Sequence, residues 1–146
     1  MNTFNNLHII IAEDDPDDGE IVVNSCRSHP CFSNVTWVKN GQELLDFLST
    51  GETKPDVILT DINMPKVNGI EALEKIFSDS TLCSIPVFVY SSTANPTYEK
   101  KCKELGSLAF LIKPYSLLDF DDIPYQLVYI LKTKFPTRDS PCHDDQ

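Results

Sequence analysis

The sequence is short of positive charge. Lysine and arginine number 12 against 22 aspartates and glutamates, giving a net charge of −10 and a pI near 4.5. That balance opposes the phosphate-neutralising contacts that nucleic acids and anionic membranes demand, so direct binding to either is not expected. No apolar run approaches the roughly 18 residues needed to span a bilayer, and the first residues lack the basic flank and apolar stretch of a secretory signal. A cytoplasmic protein without membrane insertion is expected. The five cysteines (Cys26, Cys31, Cys83, Cys102, Cys142) are odd in number and include no Cys-x-x-Cys pair, which argues against a disulfide framework or a zinc site and for reduced thiols. His8, His29 and His143 form no ligand-like set and read as structural or solvated residues. There is no internal repeat. The one low-complexity patch is acidic: Glu13, Asp14, Asp15, Asp17, Asp18 and Glu20 fall within a single short stretch. Otherwise the composition is ordinary, and 146 residues, 41% of them hydrophobic and 23% charged, suit one folded domain with one core.

Four short β-branched or apolar runs have strand length, at residues 8–12, 35–38, 56–60 and 86–90. A fifth, at 108–112, stops before Pro114, which lacks the N–H that a ladder requires. Ile9 to Ile11 and Val57 to Leu59 show no polar alternation, as strands covered on both faces require, so a parallel sheet is expected. Helical signals fill the gaps. Asn40, with Glu43 three positions on, precedes Leu44, Leu45 and Leu48 on one face. Ile70, Leu73, Ile76 and Phe77 repeat the spacing, and Tyr98, Cys102 and Leu105 do so more weakly, with Lys100, Lys101 and Lys103 on the wet side. Pro16 and the acids around it suit the start of a helix running to about Arg27. Asp121 and Asp122 ahead of Pro124 place a last helix from about residue 122, after a loop at 114–120 that is longer than usual. The alternation predicts an α/β domain, a doubly wound five-stranded parallel sheet with helices on both faces, over residues 1–132, followed by a flexible polar tail at 133–146.

Reactive polar residues stand where four of the five strands end: Glu13 and Asp14 after the first, Asp61 after the third, Ser91 after the fourth and Lys113 after the fifth. In an open parallel sheet these ends share one edge, which is where ligands bind. Three carboxylates brought together repel, so something positive must join them. Glu13, Asp14 and Asp61 supply −3, and one Mg2+ with the Lys113 ammonium supplies +3, so the charges close on a hard, oxygen-liking cation.

The Glu13-Asp14-Asp15 run after Ile9 to Ile11, Asp61-Ile62-Asn63-Met64-Pro65 followed by Gly69, Ser91-Ser92 after an apolar run, and Lys113-Pro114 resemble the four sequence blocks of response-regulator receiver domains in two-component signalling. The likeness covers about residues 7–132, and the intervals between Asp61, Ser91 and Lys113 agree with it. It implies a flavodoxin-like (β/α)5 fold with strand order 2-1-3-4-5. Asp61 would be the phosphoacceptor, its carboxylate attacking a phosphohistidine to form an acyl phosphate. Asp14, Asp61 and the backbone carbonyl of Asn63 would hold Mg2+, with Glu13 acting through water. Lys113 would pair with a phosphoryl oxygen, Ser91 would be the hydroxyl switch, and Phe110 the aromatic that moves with it. Pro65 and Gly69 would shape the turn after Asp61, and Lys113–Pro114 would be a cis peptide.

The protein so implied is a single-domain response regulator. It takes a phosphoryl group from a sensor histidine kinase, a hybrid kinase or a phosphotransfer protein and signals through a phosphorylation-dependent contact with a downstream protein. It is not an enzyme beyond promoting its own aspartyl phosphorylation and dephosphorylation. Little polar chain follows Leu131, so no DNA-binding output module is expected; the fourth helix, fifth strand and fifth helix, with Lys100, Lys101, Lys103, Phe110 and Tyr115, are the expected output surface.

Two positions depart from the commonest pattern. Phe110 replaces a tyrosine, so no hydroxyl fixes its orientation, and Ser92 replaces a small alanine and is expected to pack. A haloacid dehalogenase phosphatase would need an early Asp-x-Asp acceptor and a cap domain. A flavodoxin would need a phosphate-cradling first loop, which this acidic run would repel. The run also fails as an EF-hand loop, because Pro16 stands at a ligand position. The remaining alternative is a phosphorylation-independent adaptor on the same fold.

Overall fold

Each apolar run becomes a strand and each periodic stretch a helix. β1 (Leu7–Ala12), β2 (Phe32–Val38), β3 (Val57–Asp61), β4 (Val87–Ser91) and β5 (Ala109–Ile112) form one parallel sheet in the order β2-β1-β3-β4-β5. The crossovers are α1 (Pro16–Arg27), α2 (Gly41–Thr50), α3 (Gly69–Phe77), α4 (Pro96–Leu105) and α5 (Asp122–Lys134). The long connection before α5 holds a 3-10 turn at Leu118–Asp121. The computed structural model describes residues 5–50 and 53–136.

Strand alternation sorts the core into two halves. Ile9 and Ile11, Val57 and Leu59, Phe88 and Tyr90 pack against Val22, Val23 and Cys26 of α1 and Ile123, Leu127 and Leu131 of α5. Ile10, Ala12, Ile58, Val87 and Val89 pack against Leu44 and Leu48 of α2, Ala72, Leu73 and Ile76 of α3, and Cys102 of α4. All six residues of β1 are buried, the condition that its unbroken apolar run anticipates. Each large aliphatic side chain sealed in this way contributes about 1.5–3 kcal/mol relative to an exposed one.

The helix starts are set by side-chain caps, each worth about 1 kcal/mol. Asp15 Oδ1 accepts from the Asp17 and Asp18 amides, and Pro16 follows at the first helical position. Asn40 Oδ1 accepts from the Glu43 amide at 2.8 Å, while Glu43 reaches back to the Lys39 amide at 2.7 Å. Asn68 and Glu71 form a reciprocal capping box on α3, and Asn95 caps α4.

Two expectations change. Lys113–Pro114 is trans, since no cis peptide occurs among the described residues. The trans form is the lower-energy isomer even before proline, and the Lys113 amide still donates to Ser91 O at 2.8 Å, extending the β4–β5 pairing to the proline. The tail expected from residue 133 falls largely at 137–146, outside the described residues, but Thr133 and Lys134 still belong to α5 and Phe135 is buried in the α1/α5 half of the core. Cys26, Cys31 and Cys102 are free thiols; Cys142 and His143 lie outside the described residues. Burial pushes the Cys26 thiol up to about 12 and that of Cys102 to about 11, so both are inert at neutral pH.

Candidate functional site

The phase that divides the core also builds the site. Continuing β1 by two residues from Ile11 puts Glu13 on the α1/α5 side. The same step from Leu59 puts Asp61 there, and from Leu111, Lys113. The Lys113 ammonium lies 2.8 Å from Glu13 Oε1 and 3.1 Å from Asp61 Oδ2. Glu13 is fully buried, while Asp61 and Lys113 are nearly so. Asp61 Oδ1 accepts the Ile62 amide at 2.7 Å, so both oxygens of this carboxylate have fixed partners. Asp14, one residue out of phase with Glu13, is exposed at the rim.

Ser91 and Phe110 have the opposite phase. Ser91 is buried at the end of β4, its Oγ accepting the Thr93 amide at 3.4 Å, and Phe110 packs half-buried against the α2–α4 half of the core. Glu13, Asp61 and Lys113 thus lie on one side of the sheet, and the hydroxyl and aromatic expected to respond lie on the other. Asn63 and Pro65 are exposed in the loop after β3. Ser92 is exposed and does not pack, contrary to expectation, because the chain has left the sheet by that point. Gly69 is fixed by close approach: a Cβ there would sit 2.3 Å from the carbonyl oxygen of Asp61. Only glycine lets α3 begin against the backbone of Asp61, where the Gly69 amide donates to Ile62 O at 2.8 Å.

Two members of the site escaped the sequence reading. Tyr90, buried in β4 beside Asp61, donates its hydroxyl to Glu13 Oε1 at 2.6 Å, and its ring lies 4.8 Å from the Lys113 ammonium. Asp18, in the first turn of α1, places Oδ2 3.2 Å from the same ammonium. An alternating β4 with a polar atom on the Glu13 phase is a signal for the first; the helix phase set by the Asp15 cap is a signal for the second. Asp18 also alters the charge sum, because four carboxylates, not three, now surround the cluster.

Below the site the chain is locked. Glu13 Oε2 accepts the Asp15 amide at 3.1 Å, and the Trp37 indole N–H donates to Glu13 O at 2.9 Å. Gly19 makes room for that indole, since a Cβ would fall 2.1 Å from the ring. Burial pushes the Glu13 carboxyl above its usual range, partly offset by the hydrogen bonds from Lys113 and Tyr90. Burial and the neighbouring Glu13 charge raise Asp14 as well. Burial alone would lower the Lys113 ammonium, but Glu13 and Asp61 outweigh it and hold lysine above its ordinary range. The phenol of Tyr90 is raised by burial and then by the Glu13 charge.

Glu13, Asp14 and Asp61 each offer a carboxylate oxygen within 4.8 Å of the others, an all-oxygen set that fits a hard divalent cation and not zinc. Among the described residues no helix is long and apolar enough to cross a membrane.

The model of the response regulator receiver domain matches residues 9–123. The two-component response regulator ARR17 of Arabidopsis thaliana is 30% identical over 132 residues, covering 84% of this chain and 85% of that protein. The two-component response regulator ORR11 of Oryza sativa subsp. indica is 35% identical over 107 residues, 73% of this chain and 71% of that protein. Among solved structures, the phosphorylated cyanobacterial phytochrome response regulator RcpA aligns with a TM-score of 0.80 at 26% identity, covering 92% of this chain and 98% of that one.

Proposed function

Because the chain belongs to the response regulator receiver domain family of two-component systems, we propose that Asp61 accepts a phosphoryl group from a histidine kinase or phosphotransfer protein. The observation that carries this is the buried Asp61 carboxylate, held between the Ile62 amide and the Lys113 ammonium with Glu13 and Asp14 alongside. A carboxylate oxygen of Asp61 attacks phosphorus, the P–N bond to the donor imidazole breaks, its electron pair returns to nitrogen, and an acyl phosphate remains. Lys113 then pairs with a phosphoryl oxygen and offsets charge that develops in the transfer.

Asp14, Asp61 and the carbonyl of Asn63 would hold Mg2+, with Glu13 acting through water. A bound Mg2+ supplies positive charge for the phosphoryl oxygens and the carboxylates. Ser91 donates its hydroxyl to the phosphoryl group from the other side of the sheet, and the shift of its loop lets Phe110 repack. The consequence is read by a downstream protein on the α4, β5 and α5 face. A groove of about 340 Å³ there is lined by Phe110 and Leu108 together with Glu99, Lys103 and Lys134, which suits a partner that brings an apolar anchor and charges of both signs.

The test is intact-mass measurement after treatment with acetyl phosphate and Mg2+. One phosphoryl adduct is expected on the parent and none on Asp61→Asn, an isosteric amide too weak to attack. An undiminished adduct on Asp61→Asn would move the acceptor elsewhere. Absence of any adduct on the parent would leave the phosphorylation-independent adaptor.

A further inference from the structure

Lys113 binds three carboxylates, and one of them belongs to no strand end. Asp18 reaches the ammonium from α1 at 3.2 Å. Its side chain is 32% exposed, against 0% for Glu13 and 8% for Asp61. Glu13, Asp14, Asp18 and Asp61 together carry −4, and Lys113 with a divalent cation returns +3. The cluster is therefore already negative before a phosphoryl group brings more negative charge into it.

We infer that Asp18 is a positioning residue that restrains phosphoryl acceptance at Asp61 by competing for the Lys113 ammonium. The inference rests on the reading of Asp61 as the acceptor. When phosphoryl oxygens arrive, one or more of the present contacts to Lys113 must yield. Glu13 is sealed from solvent, so losing its cation would leave a buried charge uncompensated. Asp61 is the group being modified. Asp18 alone of the three has water at hand to replace the ammonium, and it is the contact that opens. Until it opens it holds the ammonium toward α1 and adds a like charge beside the phosphoryl group. Replacing the Asp18 carboxylate with an amide removes both effects and leaves the helix and its cap, which belongs to Asp15, in place.

The experiment compares the parent with Asp18→Asn, Asp18→Glu and Asp17→Asn, each treated with acetyl phosphate at saturating Mg2+ and followed by intact mass. Asp17 shares the same helical turn and is exposed, so its amide variant carries the same change of net charge without the Lys113 contact. Asp18→Asn is expected to form adduct faster by on the order of tenfold, the effect of deleting one unit charge beside the reaction centre. The gain belongs in the limiting rate at saturating donor and not only in the donor concentration required. Asp18→Glu should stay near the parent, and Asp17→Asn within about twofold of it. A purely structural role for Asp18 would slow the reaction and lower the melting temperature together. Asp18→Asn at or below the parental rate while folded overturns the inference, and so does an equal acceleration in Asp17→Asn. Should Asp18→Asn fail to fold, Asp18→Ala is read against the same expectation. Failure of the parent to take any adduct overturns the acceptor reading itself, and is told apart by the parent and Asp61→Asn lanes alone.

Discussion

Tyr90→Phe removes one oxygen from the middle of the protein and nothing else. The ring stays in the core it shares with Ile11, Leu59 and Phe88, and its face still lies near the Lys113 ammonium. Glu13 keeps Lys113 on Oε1 and the Asp15 amide on Oε2, but loses the 2.6 Å bond from the phenol. A hydrogen bond to a charged group contributes about 1.5–3 kcal/mol. The upper part of that range applies because water cannot reach a fully buried Glu13 to replace the donor. For a domain of this size the expected fall in melting temperature is roughly 4–10 °C. Calorimetry or urea titration measures it, with Tyr129→Phe, an exposed site on α5, as the control that should change by less than about 0.5 kcal/mol. The attribution to Glu13 is checked by a double-mutant cycle with Glu13→Gln, which should return a coupling above about 1 kcal/mol. Tyr90→Phe as stable as the parent, or a coupling near zero, would refute the account of how Glu13 is held.

Three further outcomes follow from the site and the core. Millimolar Mg2+ should raise the melting temperature of the parent by binding only the folded protein, and Asp14→Ala should lose most of that increment; fluorescence of Trp37, whose indole binds Glu13 O, gives the same titration optically. Gly69→Ala should destabilise by at least about 1–3 kcal/mol, because the added methyl meets backbone at 2.3 Å and cannot be accommodated by a rotamer change; parental urea stability would contradict the close approach. Burial lowers His8, against the pull of Asp56, and burial with the Lys132 charge lowers His29. A base whose folded pKa is depressed stabilises fully above its unfolded value near 6.5, and its contribution falls as pH drops below that, by up to about 1.4 kcal/mol per pH unit for each histidine. Raised carboxyls at Glu13 and Asp14 act oppositely, adding stability as pH falls toward their ordinary values. Subtracting the melting curves of His8→Gln and His29→Gln from the parent isolates the histidine slope; a flat difference between pH 7.5 and 5.5 removes the argument.

The legible part of this protein was its periodicity. Ile9 to Ile11 and Val57 to Leu59 read as doubly covered strands because nothing polar interrupts them, and once the strands were placed, Glu13, Asp61, Ser91 and Lys113 had to share an edge. Asp18 was hidden among six acids of one composition, and only the phase of α1, counted from the Asp15 cap, turns it toward Lys113. Tyr90 read as one more aromatic in an apolar run, since a hydroxyl that meets a partner 77 positions away leaves no local mark. Phe135 was assigned to the tail because the polar residues beside it broke the pattern, although its own burial extends the core past the end of α5. The isomer at Pro114 has no signature in the residues themselves, because the two forms of an X–Pro bond differ by only about 0.5–1 kcal/mol.

The proposed acceptor Asp61 and the proposed switch Ser91 are neighbours along the sheet edge but occupy opposite sides of a single layer of backbone. Substitutions around Glu13, Asp18 and Lys113 therefore touch the α1/α5 side, and those around Ser91 and Phe110 the side of α2 to α4. The two sets meet where the Lys113 amide donates to Ser91 O, so a substitution away from that junction changes one side of the sheet and leaves the side chains of the other in place. Changes far apart on the two sides should combine nearly additively, while paired changes at Lys113 and Ser91 should not.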